Sequence, residues 1–237
     1  MSVLEQLLHL QELDTVVDQL RHRRDHLPER AELEEIASAE KDLSSRRSEV
    51  SGRRDELARE QKRLEDEVAL VEEKRRDTDA KLYGGSVTSP RELQSLQDEV
   101  GALARRQSTL EDEQLEIMTA VEPLDETLAS LDAEEQALDT RRGEVERALA
   151  GAESEIDTEL EGVTAERSAT AASLPADTLA DYETKRRQLG GVAVARLVGT
   201  SCGGCHLTLS AVEIDRIKRL PPDVPAVCEE CGRMLVH

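Results

Sequence analysis

Apolar residues recur at seven-residue intervals along most of this chain, and that repeat limits the fold more than any other feature of the sequence. One heptad position of the first half is apolar six times in succession, at Ile36, Leu43, Val50, Leu57, Leu64 and Val71. The second half has a matching series at Leu96, Leu103, Leu110, Ile117, Leu124, Leu131, Leu138, Val145 and Ala152. Heptad repeats of this length are typical of coiled coils, in which each apolar residue returns to the same seam. The sequence therefore predicts two long coiled-coil helices.

The composition fits extended helices and is unsuited to a large globular core. Charged residues make up 35% of the 237 residues, the formal net charge is −21, and the chain has no Phe, no Trp and two Tyr. Disordered segments share such a composition, but disorder gives no reason for a heptad repeat. The companion seam position of the first helix is partly polar, at Glu40, Arg47, Arg54, Gln61 and Arg75. We expect weak packing at those levels.

A turn between the two helices is predicted at residues 83–90. Tyr83 is followed by two glycines. Ser89 then offers an N-cap, Pro90 suits the first helical position, and Glu92 completes a capping box. The predicted fold class is mainly α, with a long antiparallel coiled-coil hairpin over residues 1–175 and this turn as its tip. If the chain reverses midway through the turn, residue 75 faces residue 98 and residue 47 faces residue 126.

Two prolines lie within the predicted helices, so we expect breaks or bends near residues 28 and 123. Proline removes a helical hydrogen bond, and its ring clashes with the preceding turn. Pro28 leaves two arrangements open. Residues 1–27 either continue the hairpin beyond a bend, or form a separate helix that folds back or packs against the base of the hairpin.

Two Cys-x-x-Cys pairs near the C-terminus predict a metal site. Cys202 and Cys205 form one pair and Cys228 and Cys231 the other, and together they are all the cysteines of the chain. Two such loops supply four thiolates in a tetrahedron, the ligand set of a closed structural Zn²⁺ site. Redox dithiols and buried free thiols are the alternatives, but a thioredoxin-like dithiol needs a helix that begins at the motif. We expect one structural zinc ion without a catalytic role.

The cysteines belong to a small C-terminal zinc ribbon, residues 190–237, which a neck helix at residues 176–189 joins to the hairpin. Residues 192–199 and 234–236 are predicted to form short β-strands, and Ser210 with Glu213 forms a capping box for one short helix, ended by two prolines at 221 and 222. A domain of about 48 residues buries little apolar surface, so zinc is expected to supply folding free energy. His206 follows Cys205 directly, but a complete four-cysteine shell leaves no place for it as a ligand.

The sequence supports neither an enzyme nor a membrane protein. It contains no phosphate-binding glycine loop, nucleophile elbow or zincin helix. The first residues lack a basic segment, and no apolar run approaches the roughly 18 residues of a membrane span. We therefore expect a cytoplasmic location, where thiols stay reduced and paired cysteines hold metal.

Two classes of partner fit these features: other proteins, and RNA or DNA. Tyr83 is a natural anchor for protein docking in a chain with almost no aromatic residues, unless it only packs against Leu93 at the tip. Basic residues of the neck and ribbon could contact phosphates, although the same residues fit a solvated helix face and the net charge opposes nucleic acid. These residues are Lys185, Arg186, Arg187, Arg216, Lys218 and Arg219, with Tyr182 nearby. Protein binding is the first hypothesis and nucleic-acid binding the alternative.

The tip and the ribbon together resemble the bacterial C4-type zinc-ribbon family whose members carry an N-terminal coiled-coil hairpin. The resemblance lies in residues 81–85, 89–93, 96–97, 202–205 and 228–235. It implies a non-enzymatic adaptor, since some relatives serve flagellar or type III secretion systems and bind an alternative sigma factor, secretion components or messenger RNA. Glu229 and Glu230 replace the less acidic, proline-containing turn that is common in relatives. This departure weakens a nucleic-acid role for the second cysteine loop.

Overall fold

The structure, a computed structural model, describes residues 2–221 and 224–237 and is mainly helical. Its elements in chain order are α1 (Val3–Asp25), α2 (Pro28–Tyr83), α3 (Pro90–Ala172), α4 (Ala176–Gln188), β1 (Val194–Val198), β2 (Ser201–Cys202), α5 (Ala211–Lys218), β3 (Ala226–Val227) and β4 (Met234–Val236). This architecture confirms the predicted fold class. Among the described residues, no helix combines the length and the apolarity that crossing a bilayer requires.

The chain divides into two compact units. The ribbon unit comprises Met1–Glu32 and Val145–His237, and the tip unit comprises Leu33–Glu144. Within the tip unit, α2 and α3 pack as an antiparallel coiled coil. The predicted seam positions of this unit include the buried residues Ile36, Leu43, Leu57, Leu64, Leu110 and Leu131.

Polar seam positions of α2 meet polar residues of α3. Glu40 pairs with Arg142 at 2.9 Å, and Arg54 pairs with Asp125 at 3.1 Å. Each pair places opposite charges across the two helices at a level where neither offers an apolar residue. The expected weak packing is therefore partly offset by ion pairs, although exposed pairs of this kind stabilise a fold by less than about 1 kcal/mol each.

The register of the tip unit differs from a simple reflection about the turn. Arg75 would face residue 98, yet its guanidinium donates to Gln107 at 2.8 Å. Arg47 would face residue 126, yet it pairs with Glu135 at 3.7 Å. Other long side chains, such as Lys74 with Glu99, still meet at the reflected positions. Because a slip of one heptad would keep the same faces in contact, the apolar repeat alone cannot select the register.

The turn between α2 and α3 requires both of its glycines. A Cβ atom on Gly84 would lie 2.5 Å from the carbonyl oxygen of Ala80, and Gly85 has a φ of 73°. A side chain at Gly84 would thus collide with the last turn of α2, and one at Gly85 would be strained. Leu93 N–H donates to the Ser89 carbonyl at 3.0 Å at the start of α3.

The two prolines have different effects. α1 ends at Asp25 and α2 begins with Pro28 itself, a position that suits proline because its missing N–H has no helical acceptor there. α3 continues through Pro123, so the break expected near residue 123 is not a helix end. One lost hydrogen bond does not end a helix that is packed on both sides of the proline.

Residues 3–25 run beside the end of α3. Arg24 pairs with Asp157 at 2.8 Å, and His9 contacts Glu166 at 3.0 Å. Leu20 packs with Ile156 in a small apolar cluster. α1 thus packs against α3 within the ribbon unit and is separated from α2 by the helix break before Pro28.

The ribbon sheet has the strand order β2-β1-β4-β3, with β1 parallel to β4 and the outer pairs antiparallel. Successive residues of a strand point to opposite faces. One face of the sheet therefore joins α1 and α4 in a core, while the other packs against α5 and the cysteines. The first core contains Leu4, Leu7, Leu8, Leu10, Ala171, Leu174, Tyr182, Ala193, Val194, Met234 and Val236.

Candidate metal centre

The first cysteine loop turns tightly against β1. Cys202 ends β2, and the next residue, Gly203, donates its N–H to the Arg196 carbonyl at 2.8 Å. A Cβ atom at position 203 would lie 2.8 Å from the same oxygen, so the loop can approach the strand only with glycine there. Gly204 N–H points at the Cys202 sulfur at 3.3 Å. Such amide contacts orient a thiolate and stabilise its negative charge.

The second cysteine loop has the same backbone pattern between β3 and β4. Cys228 N–H donates to the Arg233 carbonyl at 2.9 Å, and Gly232 N–H donates to the Cys228 carbonyl at 2.9 Å. The first loop has the corresponding two bonds at 3.0 and 2.8 Å. The two loops therefore form a matched pair of knuckles, each presenting two sulfurs.

The four cysteine sulfurs converge at one point. All four Sγ atoms lie within 4.8 Å of one another. The cross-knuckle distances are 3.9 Å between Cys202 and Cys231 and 4.0 Å between Cys205 and Cys228. A tetrahedron with Zn–S bonds of about 2.3 Å has sulfur–sulfur edges of about 3.8 Å. Four thiols at this spacing, none of them in a disulfide, fit a zinc ion with a closed shell.

Three of the four thiols have shifted pKa values. A backbone hydrogen bond at Leu207 lowers the pKa of Cys205, but burial and the neighbouring thiols outweigh it and the pKa is raised. Burial raises the pKa of Cys228 to about 12. Burial acts in the same direction on Cys231, but hydrogen bonds from Arg233 outweigh it and lower the pKa of Cys231 to about 7. Because zinc binds thiolates, metal binding displaces the protons that remain, and acid opposes it.

Glu213 supports the second knuckle, a role that the sequence did not reveal. Ser210 caps α5 as predicted, by accepting the Glu213 N–H at 3.1 Å. The Glu213 side chain is buried, and its Oε1 accepts the N–H of Glu229 at 3.1 Å. The first turn of α5 is thereby fastened to the loop that holds Cys228 and Cys231. A glutamate three residues after a cap was the signal, but the predicted capping box named the wrong donor: the Glu213 carboxylate accepts from Glu229 N–H and not from Ser210 N–H.

A buried polar cluster joins three helices at the base of the ribbon unit. Asp14 of α1 accepts a hydrogen bond from Tyr182 at 2.6 Å and pairs with Arg167 at 3.1 Å and Arg186 at 3.4 Å. Tyr182 is fully buried, and burial together with the bond to Asp14 raises the pKa of its hydroxyl. Tyr182 therefore offers no exposed ring to a nucleic acid.

Gln11 connects α1 to the ribbon sheet. Its side-chain carbonyl accepts the N–H groups of Ala193 at 2.6 Å and Val194 at 3.3 Å, and its amide donates to the Gly191 carbonyl at 3.0 Å. A buried glutamine thus satisfies the backbone where β1 begins. Nothing in the local sequence distinguishes this glutamine from the polar residues of an exposed helix face.

The six basic residues considered for nucleic-acid binding are dispersed among ion pairs. Arg186 is largely buried against Asp14 and Asp18, and Lys185 lies 3.8 Å from Asp181. In α5, Arg216 pairs with Glu229 at 3.1 Å, and Arg219 pairs with Asp215. Within the described part of the chain, Arg187 and Lys218 are the two of the six that have no acidic partner. Their contact with nucleic acid stays a prediction.

Tyr83 lies at the end of α2 with 80% of its surface exposed. Its neighbour Leu82 is buried, so the helix turns its apolar side inward and leaves the tyrosine outside. With this exposure, Tyr83 does not pack against Leu93 as the alternative interpretation required. Its binding role is not decided by exposure alone and stays a prediction.

Known families match both parts of the chain. The model of the CT398-like coiled coil hairpin domain matches residues 10–190, and that of the C4-type zinc ribbon domain matches residues 201–235. The ribbon match and the four-sulfur geometry together identify a site for one structural zinc ion. The chain is also similar to Uncharacterized protein Rv2229c of Mycobacterium tuberculosis, with 31% identity over 234 residues, which are 98% of this chain and 94% of the relative.

Solved structures share the fold. A protein from Mycobacterium smegmatis superposes with a TM-score of 0.89 and 24% identity, covering 100% of both chains. CT398 from Chlamydia trachomatis superposes with a TM-score of 0.71 and 19% identity, covering 99% of this chain and 97% of that one. At these identities the likeness concerns the fold alone.

Proposed function

Since this chain belongs to the CT398-like coiled-coil hairpin family and carries a C4-type zinc ribbon, we propose that it is a non-enzymatic zinc-binding adaptor that binds partner proteins. The observation that carries the proposal is Tyr83, whose side chain is 80% exposed at the tip of the hairpin. Exposed tyrosines with restrained backbones are frequent anchors of protein interfaces. Gly84 and Gly85 determine the backbone directly after it.

A catalytic role has little support. Four thiolates complete the coordination of a structural zinc ion, so a zinc ion bound there has no open position for water or substrate. The buried carboxylates Asp14 and Glu213 accept hydrogen bonds within the fold and face no substrate cleft. Their hydrogen bonds within the fold explain why both carboxylates are buried, so neither burial indicates a catalytic role.

The nucleic-acid alternative is less well supported than protein binding. Phosphate recognition needs several free Lys or Arg side chains on one surface. Four of the six candidates are engaged by carboxylates of this chain. Glu229 and Glu230 add negative charge beside the second knuckle.

Four reduced thiols fit a cytoplasmic location. The family resemblance implies partner proteins that act in transcription or secretion. An alternative sigma factor and components of a secretion apparatus are therefore the first partner classes to test. Zinc serves to fold the ribbon in this proposal and takes no part in chemistry.

We predict that partner binding depends on Tyr83. A photo-crosslinking amino acid at position 83 should capture specific proteins in cells, and each captured protein, once purified, should bind wild-type chain and lose most of its affinity for Tyr83→Ala. Loss of an aromatic anchor typically costs about 2 kcal/mol, or roughly thirtyfold in affinity. The measurement is fluorescence anisotropy with purified components.

Leu70 provides a matched control, because it lies in α2 with 65% of its surface exposed. Leu70→Ala should leave affinity unchanged, and circular dichroism should show equal helicity in both variants. Equal affinity of wild type and Tyr83→Ala would contradict docking at the tip. Crosslinks from position 83 to RNA instead of protein would favour the nucleic-acid alternative.

A further inference from the structure

The tip carries two exposed cations in a strongly acidic protein. Within residues 80–91 the charged side chains are Lys81 and Arg91, whereas the chain as a whole has a net charge of −21. Lys81 lies in the last turn of α2 and Arg91 in the first turn of α3, so the two cations flank the turn that contains Tyr83. Both are exposed.

Within the described residues, both cations remain available to a partner. In the part of the chain that the structure describes, Lys81 and Arg91 have no acidic partner. Two of the nearby acidic residues have other contacts: Asp79 pairs with Arg75 at 3.9 Å, and Asp98 accepts a hydrogen bond from Gln94 at 3.1 Å. Most long cations of the tip unit, by contrast, pair along or across the helices.

From this arrangement we infer that the tip binds an acidic segment of a partner protein, with an apolar side chain of that segment packed on Tyr83 and carboxylates near Lys81 and Arg91. The inference rests on the proposed adaptor function and specifies its partner. An exposed aromatic ring supplies contact area at low entropy cost, and two unpaired cations supply charge complementarity. The net charge of −21 disfavours a negatively charged partner on most of the surface, so two cations beside Tyr83 favour binding at the tip.

A protein segment fits this surface better than a nucleic acid. Binding of RNA or DNA requires several phosphate contacts along an extended strand. Two cations satisfy two carboxylates, but a longer polyanion would next meet Asp77, Asp79 and Glu92. A short acidic segment avoids that repulsion because its charges can be confined to the turn.

The test is a selection from a library of displayed random peptides on the zinc-loaded full-length protein, with peptides that also bind Tyr83→Ala discarded. Selected peptides should be enriched in Asp and Glu beside an apolar residue. A selected peptide should then bind about five- to tenfold more weakly to the double variant Lys81→Gln with Arg91→Gln, as expected for two exposed charge pairs. Added salt should weaken its binding to wild type.

Lys41→Gln with Arg59→Gln is the matched control, because both residues are exposed cations of α2 away from the tip and the change in net charge is the same. This control should bind like wild type. Selected peptides that need Tyr83 but are neutral or basic would overturn the acidic-segment inference and leave the adaptor function standing. If no peptide depends on Tyr83, both the acidic-segment inference and the proposed adaptor function through Tyr83 fail. Tighter, Lys81-dependent binding of an oligouridine strand would overturn the inference in favour of RNA.

Discussion

The residue that follows each knuckle has a left-handed backbone, and one of these two residues is not glycine. Gly232 has a φ of 75° and His206 a φ of 63°. The two positions are equivalent, since each donates its N–H to the first cysteine carbonyl of its own knuckle. A left-handed conformation costs a residue with a Cβ atom roughly 1–2 kcal/mol. His206 is thus a strained position in an otherwise well-formed metal centre.

Replacing His206 by glycine should stabilise the zinc-bound protein. The relief of strain is partly offset by the greater entropy of glycine in the unfolded chain, so we expect a gain of about 0.5–1 kcal/mol in the free energy of unfolding. Gly232→Ala, at the matching position, should lower it by about 1 kcal/mol. Denaturant unfolding measures both changes. Zinc content should stay at one per chain in His206→Gly, and loss of zinc would mean that His206 is a ligand after all.

At the scale of elements, the joints between helices depend on buried polar residues. Asp14 of α1 holds Tyr182 and Arg186 of α4 and Arg167 of α3, and Gln11 of α1 holds the start of β1. The ion pairs of the tip unit are exposed and individually weak. The cluster around Asp14 is different, because the Asp14 carboxylate and the Tyr182 hydroxyl are buried, and a buried polar group that loses its partner is costly.

Removal of the Asp14 carboxylate should therefore destabilise the ribbon unit strongly. We expect Asp14→Ala to lower the free energy of unfolding by about 2–3 kcal/mol, since it leaves the buried Tyr182 hydroxyl without its acceptor, while Arg167 keeps Glu183 and Arg186 keeps Asp18. Asp18→Ala removes a half-exposed partner of the same Arg186 and should cost less than about 1 kcal/mol. The measurement is denaturant unfolding of the Asp14→Ala and Asp18→Ala variants, followed by circular dichroism. Equal costs would show that burial of Asp14 has no energetic importance.

At the scale of the whole molecule, zinc acts on only one of the two units. The four cysteines lie in the ribbon unit, and the described residues of the tip unit contain no group of metal ligands. Helix stability in the tip unit comes from the seam between α2 and α3. The short strands of the ribbon have little such support, and for them metal binding and folding are coupled.

Removal of zinc should unfold the ribbon and spare most of the helices. Adding a strong chelator should release one zinc per chain and make residues 190–237 sensitive to protease, while the helical circular dichroism signal falls only slightly. Acid should have the same effect as the chelator, because protonation of the thiolates competes with the metal. Release of zinc without a change in protease sensitivity would contradict the coupling, as would loss of most of the helical signal.

The features that the sequence determined by itself are those encoded by near neighbours or by a regular repeat. The heptads predict two helices, Gly84 and Gly85 predict the turn, and the two Cys-x-x-Cys pairs predict the zinc ligands. The physical cause acts within a few residues in each case. It is an apolar stripe for the helices, a backbone conformation for the turn and a ligand geometry for each cysteine pair. Only the meeting of the two cysteine pairs involves residues that are far apart in the sequence. It is predicted because a structural zinc site needs four ligands and each pair supplies two.

Tertiary structure alone decided the register of the hairpin and the buried polar contacts. A heptad repeat is compatible with several registers, and side-chain pairs such as Arg75 with Gln107 select among them. Asp14 and Tyr182 are 168 positions apart, and Gln11 and Ala193 are 182 apart. At such separations, the sequence around a polar residue in an acidic helix does not indicate which residue it will contact. Its role arises only when folding removes water from both groups and each must satisfy the other.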